Sequence, residues 1–345
     1  MADSYTLGLF ANMYPAFKGD FRGNFIRQMV CDLEERGVQV KKAVKTSPSV
    51  TGYIPFSIQS LKLARDTGAD VYQAEYIPHS SMIPALIGRR NVPLVLKFHG
   101  DDARIFPFRN AFTRSLTRSM LRRADHVITA SAEMKQLLVT VGGDPSKISP
   151  IHTGVDTEFF VPGSRETARN ALGLPQEKTI VFFVGRLHPL KGVPELVKVA
   201  QVCPDILFVL GGPGTVPEHP ANCQFPGVID HSAIRTWFQA ADCYILPTHT
   251  EAIPTSVMEA FSCGIPAVTT DVGGCPEIVE DGISGKMVSV GNVPALKDAV
   301  LWMQDNPKER LEMGKKARAT AINRFDHRIL IEQLMSVHKS LLERR

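Results

Sequence analysis

Short apolar runs alternate with amphipathic stretches along the whole chain, and this alternation limits the possible fold more than any other feature. In the first half, strands are predicted over Tyr5–Phe10, Val38–Val44, Val71–Glu75, Val92–Phe98, His126–Ala130 and Ile148–His152. Helices are predicted over Asn24–Arg36, Ile58–Thr67, Ala111–Arg123 and Ala132–Thr140. The strand runs are too short for helices and rich in β-branched residues, whereas the helix runs repeat their apolar positions every three to four residues. At Phe160-Val161-Pro162-Gly163-Ser164 the pattern breaks with linker chemistry, then restarts. Strands are predicted next over Thr179–Val184, Ile206–Leu210, Cys243–Leu246, Ala267–Thr269 and Met287–Val290. Helices are predicted over Pro194–Ala200, Ser232–Ala240, Ser256–Ser262, Val293–Gln304, Pro307–Asn323 and His327–Glu343.

Repeated βα units of this kind make parallel sheets covered by helices on both faces. At 345 residues the chain is long enough for two such sheets. The expectation is α/β, with two doubly wound, Rossmann-like domains facing across a cleft. Residues 1–162 form the first domain and 163–326 the second. Residues 327–345 form a final amphipathic helix. In such sheets, ligands sit beyond the carboxyl ends of the strands, where the strand order reverses.

A net charge of +4 is too weak to argue for nucleic acid, and it fits an anionic small molecule or a lipid surface. The six cysteines, Cys31, Cys203, Cys223, Cys243, Cys263 and Cys275, form no CxxC pair and read as reduced thiols of a cytoplasmic protein. Met1-Ala2-Asp3-Ser4 lacks a basic leader, so no signal peptide is expected. No apolar run approaches the roughly 20 residues of a membrane span.

Four segments carry candidate chemistry. Gly185-Arg186-Leu187, followed by Lys191-Gly192, puts two cations in a glycine-flanked loop at a strand end. Arg186 offers a planar fork of donors and Lys191 a compact charge, a pair suited to a diphosphate. Glu251-Ala252-Ile253-Pro254-Thr255-Ser256-Val257-Met258-Glu259 follows the strand ending at Leu246. Pro254 suits a first helical turn, which would leave the N–H groups of Thr255, Ser256 and Val257 as a seat for phosphate. Glu251 and Glu259 could then accept from vicinal hydroxyls of a sugar and of a ribose. His99 lies in Phe98-His99-Gly100-Asp101-Asp102 at another strand end. Lys18-Gly19-Asp20-Phe21-Arg22-Gly23-Asn24-Phe25 joins the first strand to the first helix but is not GxGxxG, which disfavours a dinucleotide dehydrogenase. Each segment also has an ordinary reading: a solvated basic loop, a surface helix with two unrelated glutamates, a structural histidine, a flexible connection.

Taken in order, these residues resemble the retaining glycosyltransferases of family 4, which have the GT-B fold. The resemblance runs through Phe183–Leu187 with Lys191-Gly192, Gly212-Pro213-Gly214, Ala241-Asp242 with Leu246-Pro247-Thr248, and Glu251 to Glu259-Ala260. It continues through Cys263-Gly264-Ile265-Pro266-Ala267-Val268 and Gly273-Gly274-Cys275-Pro276-Glu277-Ile278-Val279. The first half is similar more loosely, at Gly23–Gln28, His99–Asp102, Ser131, Gly154-Val155-Asp156 and Phe159. Thr153 stands where the family usually has Asn, and Pro254 where many members have Gly.

The resemblance implies transfer of a sugar from a nucleoside-diphosphate sugar, with retention of configuration. It also implies that residues 1–162 are the acceptor-side domain, that 163–326 bind the nucleotide sugar, and that the helix 327–345 crosses back to the first domain. Arg186 and Lys191 would bind the diphosphate, Glu259 the ribose, and Glu251 the donor sugar, helped by backbone N–H groups around Ile253–Thr255. His99 would line the cleft near the reacting carbon, and Gly23 and Gly185 would lie near the diphosphate. The nucleotide sugar is a substrate, so no cofactor is implied. No metal is implied either, in keeping with the lack of an Asp-x-Asp motif. A nucleotide-sugar epimerase or a non-catalytic nucleotide-sugar-binding protein on the same fold are the alternatives.

The acceptor is less legible: a glycan or a lipid-linked precursor. Between Ala103 and Ala124 lie Arg104, Arg109, Arg114, Arg118, Arg122 and Arg123, interleaved with Phe106, Phe108, Phe112, Leu116 and Met120 and with no acidic residue. This reads either as a helix face resting on anionic lipid, on the inner side of the cell membrane, or as a solvated face that also packs on its sheet.

Overall fold

The computed structural model describes residues 4–17 and 22–344. Lys18-Gly19-Asp20-Phe21, half of the first glycine-rich segment, lie outside the described residues. The chain divides into two compact units, Met1–Thr153 with Arg328–Arg345, and Gly154–His327.

The first unit is built on six parallel strands: β1 (Thr6–Ala11), β2 (Gln39–Val44), β3 (Val71–Glu75), β4 (Leu94–Phe98), β5 (His126–Thr129) and β6 (Ile148–Pro150). They lie in the order β2-β1-β3-β4-β5-β6. β3 and β4 are buried along their whole length, which is why their sequences run almost without alternation. The helix Asn24–Glu35 turns Ile26, Met29, Val30 and Leu33 onto this sheet.

The helix His327–Glu343 also belongs here. Leu330, Ile331, Leu334, Met335 and Leu341 recur every three to four residues and join the same core as Leu7, Leu9 and Ile26. At about 1.5–3 kcal/mol per fully buried side chain, as an upper bound, this face accounts for the helix's return to the first unit.

The second unit has β7 (Ile180–Val184), β8 (Leu207–Gly211), β9 (Cys223–Gly227), β10 (Cys243–Leu246), β11 (Ala267–Thr270) and β12 (Gly285–Val288), again all parallel, in the order β12-β11-β10-β7-β8-β9. β9 is absent from the sequence expectation. It is an edge strand, half-exposed and carrying Pro226, so it shows neither a continuous apolar run nor a strong alternation. Asp242, just before β10, ties the unit together. Its carboxylate accepts from Arg169 (2.6 Å), Arg310 (2.7 Å), Arg165 (2.7 Å) and the Ile180 amide (2.8 Å).

The boundary falls earlier than the linker chemistry at Pro162 suggests. The Val155 amide donates to Phe325 O, the Thr157 hydroxyl to Asp326, and the Arg318 guanidinium to Phe160 O and Thr157 O. These bonds fasten the stretch from Gly154 to the second unit. Pro162 and Gly163 therefore lie in a connection inside that unit rather than at its edge.

Candidate active site

In the second sheet the strand order reverses between β7 and β10, so the loops after these two strands flank the switch point. The β7 loop holds Gly185, Arg186 and Lys191; the β10 loop holds Glu251 to Pro254.

Backbone bonds fix the β7 loop first. Gly185 N–H donates to Gly211 O (3.0 Å), and Leu187 N–H to Pro213 O (2.8 Å), so the loop lies along the one after β8. A Cβ on Gly212 would stand 1.8 Å from Gly185 O, so only glycine allows this approach. Beyond it the short 3-10 turn Pro189–Lys191 ends at Gly192 with φ 76°. A Cβ there would meet Pro247 O at 2.1 Å. The β10 loop is stitched to this turn by His249 N–H, donating to Leu190 O (2.9 Å), and by the His249–Glu195 side-chain bond (2.8 Å).

This stitching brings together two residues sixty positions apart. Lys191 Nζ donates to Glu251 Oε2 at 2.6 Å, with both side chains partly exposed. Glu251 Oε1 also accepts from the Ala252 amide at 3.2 Å. Arg186 is exposed, and no described side chain pairs with it. A cation pair and a carboxylate thus share the carboxyl edge of the sheet. An anionic ligand there would compete with Glu251 for Lys191.

The helix Thr255–Ser262 begins where the sequence indicates, with one correction. Pro254 is its cap, in extended conformation, rather than its first turn. The Val257 amide donates to Pro254 O at 3.1 Å, so it is not an open donor, which leaves Thr255 and Ser256 for an anion. Ser256 is itself held by Tyr244, whose hydroxyl lies 2.8 Å from Ser256 Oγ and 3.2 Å from Val184 O. Ile253 is buried, and the Gly273-Gly274 loop comes so close that a Cβ on Gly274 would be 2.5 Å from Ala252 O.

Glu259 sits one helical turn further in. Its side chain is 16% exposed, and the nearest cationic atom, His231 Nε2, is 3.9 Å away, beyond hydrogen-bond reach. Burial without a partner pushes its carboxyl up to about 7. A group in that position gains most from donors that a ligand brings, such as ribose hydroxyls.

Tyr244 also belongs to this site and was not among the expected site residues, whereas Gly192, Gly212 and Gly274 lie within the motifs read from the sequence. Tyr244 had one signal, a lone aromatic hydroxyl in the otherwise apolar strand Cys243-Tyr244-Ile245-Leu246.

In the first unit, the strand order reverses between β1 and β3. Gly23, in left-handed conformation with φ 67°, caps the helix after β1. His99 follows β4. Its Nε2 is hydrogen-bonded to the fully buried Glu75 at the end of β3, and its ring lies over Tyr76, 4.4 Å between centroids. Asp102, from the same segment, accepts from the amides of His99 (3.0 Å), Gly100 (2.8 Å) and Ile77 (3.1 Å). Burial pushes its carboxyl up, against the pull of His99 and those amides. Asp102 therefore shapes the loop that presents His99.

The basic run 104–123 is less open than its sequence suggests. Arg104 pairs with Glu133 and Arg123 with Asp125. Arg114 and Arg118 donate to Thr140 O and Val141 O, the last carbonyls of the neighbouring helix Ala132–Val141. What stays exposed is apolar as much as basic: Phe112 is 74% exposed, and Ile105 and Phe108 are nearly half exposed, beside the exposed Arg109 and Arg122.

Five cysteines are buried and Cys31 is exposed; all are free thiols. Among the described residues no group of three or more His, Cys, Asp or Glu side chains could hold a metal ion, and no helix is long and apolar enough to cross a membrane.

Two parallel sheets, each with a switch point, and a terminal helix returned to the first unit define a GT-B fold. Sucrose-phosphate synthase from Thermosynechococcus elongatus shares it, with a TM-score of 0.81 over 99% of this chain and 100% of that one, at 18% identity. So does Anabaena HepE in complex with UDP and glucose, with a TM-score of 0.79 over 97% of this chain and 100% of that one, at 19% identity. Residues 19–159 match Glycosyltransferase Family 4 and residues 164–320 match Glycosyl transferases group 1. The chain belongs to the group 1/family 4 glycosyltransferases. Among curated relatives, the D-inositol 3-phosphate glycosyltransferases of Mycobacterium tuberculosis and Mycobacterium bovis are 34% identical over 213 residues, 56% of this chain. The match takes in 44% of the relatives' length, so the chain spans less than half of them.

Proposed function

We propose that this protein transfers a sugar from a nucleoside-diphosphate sugar to an acceptor hydroxyl, with retention of configuration and without a metal ion. The observation that carries the reading is the Lys191–Glu251 pair at the switch point, with Arg186 on the same β7 loop as Lys191 and the helix Thr255–Ser262 starting after the same β10 loop as Glu251. Breaking the glycosidic bond puts negative charge on the departing diphosphate and positive charge on the sugar. Arg186, Lys191 and the Thr255 and Ser256 amides are the donors for the first. Each fixed donor of this kind is worth about 3–4 kcal/mol of barrier. Glu251, once Lys191 turns to the diphosphate, accepts from sugar hydroxyls, and Glu259 accepts from the ribose. Gly185 lets backbone approach the diphosphate, and in the first unit His99 meets a substrate hydroxyl.

The HepE complexes with UDP and UDP-glucose make a uridine donor the first to try. The inositol phosphate glycosyltransferases add a small phosphorylated acceptor to the glycan and lipid-linked ones. The test is a panel of nucleotide sugars, with release of nucleoside diphosphate and the anomeric form of the product as readouts, with and without a chelator. Glu251→Ala should abolish transfer. No turnover with any donor would leave a non-catalytic binding protein, and a new free nucleotide sugar would indicate an epimerase.

We also propose that the first unit rests on anionic membranes through the exposed face around Phe108 and Phe112. Met82, Leu86 and Ile87, on and beside the adjoining helix Met82–Leu86, extend its exposed apolar side chains. Arg109 and Arg122 add the charge complement. Sedimentation with anionic vesicles should fall when Phe108 and Phe112 become Ser, and when Arg109 and Arg122 become Glu. Sedimentation that is equal with uncharged vesicles would overturn the proposal.

A further inference from the structure

A chain of buried hydrogen bonds runs through the first unit and ends at His99. It starts at Tyr5, whose hydroxyl is 2.8 Å from His338 Nδ1 on the terminal helix. His338 Nε2 is 2.7 Å from Gln73 Oε1. The Gln73 amide donates to one oxygen of Glu75, and the other oxygen of Glu75 meets His99 Nε2. Gln73, Glu75 and His338 are fully buried. The placement follows from strand geometry: Gln73 and Glu75 are two apart on β3 and share a face, and Lys97, two before His99, is the register partner of Glu75 on β4.

The direction of every bond in this chain is fixed by chemistry. The oxygen of Gln73 can only accept, so His338 Nε2 carries its proton. Burial, with Lys97 nearby, pulls His338 down to about 3, so its ring is neutral and Nδ1 accepts from the Tyr5 hydroxyl. The Gln73 amide then donates to Glu75. Burial would raise the Glu75 carboxyl, but Lys97 and the bonds from His99 and Gln73 outweigh it and hold the group below the ordinary carboxylate range. All the donors point toward one carboxylate, and His99 must donate to it through Nε2. Tyr76, which holds the left-handed φ of 64° that a bulky residue rarely adopts, lies against the ring at a 35° tilt, and the Phe25 ring centroid is 5.0 Å from it.

We propose that Glu75 is a positioning residue for His99: its carboxylate holds the Nε2–H tautomer and leaves Nδ1 as the acceptor that meets a substrate hydroxyl. The inference rests on the reading of the chain as a sugar-transferring enzyme that uses His99. The chain of bonds extends the role to Gln73 and to His338, far along the sequence. A buried acid and amide at alternate positions of an apolar strand are costly unless they serve such an arrangement.

Glu75→Gln gives a sharp test, because Gln73 still donates toward the first oxygen position. The new amide must place its oxygen there and its NH2 toward His99. His99 Nε2 then has to accept, and the ring switches to the Nδ1–H form. Nitrogen NMR of histidine-labelled protein at mildly alkaline pH reads this directly, with His99→Ala assigning the signal. The expected result is Nε2–H in the wild type and Nδ1–H in Glu75→Gln. Turnover should fall by about tenfold to a hundredfold with donor KM nearly unchanged. In the His99→Ala background, Glu75→Gln should have no further effect on turnover.

An unchanged tautomer, or losses that multiply in the double variant, would overturn the proposal. If Glu75→Gln does not fold, an Nδ1–H signal for His99 in the wild type overturns it alone. If the wild type transfers no sugar, the functional reading fails, while the tautomers still decide whether Glu75 sets His99.

Discussion

Replacing Glu259 by Gln is expected to stabilise the second unit above neutral pH while weakening its hold on nucleotide. The carboxyl is buried with no bonded cation, and its ionisation shifts from an ordinary 4.5 to about 7. Below about pH 4.5 the group is protonated in both the folded and the unfolded chain, and it costs nothing. Between that point and about 7 the unfolded chain ionises first, so stability falls as pH rises. The loss is complete above 7. At about 1.4 kcal/mol for each pH unit of that interval, the loss amounts to roughly 3 kcal/mol. Gln has the same shape and no charge, so the variant escapes this loss.

Both tryptophans, Trp237 and Trp302, lie in the second unit, so their fluorescence during urea unfolding reports that unit alone. The difference between variant and wild type should be near zero at pH 4.5, grow through the interval, and level off above 7. Binding of a nucleotide sugar should move the other way. The variant loses hydrogen bonds to a charged acceptor, about 1.5–3 kcal/mol, and wild-type affinity should rise with pH toward 7 as the carboxylate forms. A stability difference that does not change with pH, or a less stable variant at pH 8, would refute the reasoning.

Three further outcomes are expected. Asp242→Ala strands the buried Arg169 and Arg310, and should cost about 3–5 kcal/mol by the same urea measurement. Gly192→Ala sets a Cβ against Pro247 O in a left-handed backbone, which costs at least about 1 kcal/mol and should lower transfer by displacing Lys191. Tyr244→Phe removes the hydroxyl that holds Ser256, so KM for the donor should rise while the far-UV spectrum stays unchanged.

The sequence placed every strand but the edge strand β9, most helices and the two loops at the switch point of the second sheet, because each rests on local patterning. Features that depend on contacts between distant residues were hidden. The unit boundary is set by Arg318 and Asp326 reaching back to Thr157 and Phe160, and no local signal at Pro162 could reveal it. The pairing of Lys191 with Glu251 could not be read from two motifs sixty residues apart. The basic run looked uniform, yet Arg114 and Arg118 are spent on carbonyls of another helix. Glu75 did leave a trace, a charge inside an apolar strand, but its meaning depends on His338 at the other end of the chain.

The assignment of Arg328–Arg345 to the first unit has a consequence for how the protein is made. In linear order the second unit is an insertion within the first, completed while the ribosome has yet to supply the helix that covers Leu7, Leu9 and Ile26. The unit encoded later can therefore reach its native state sooner. The first unit keeps an open apolar face until that helix is made, and the Tyr5–His338 bond then joins two residues 333 positions apart. Chains that stop short of this helix should aggregate through the first unit even when the second is folded.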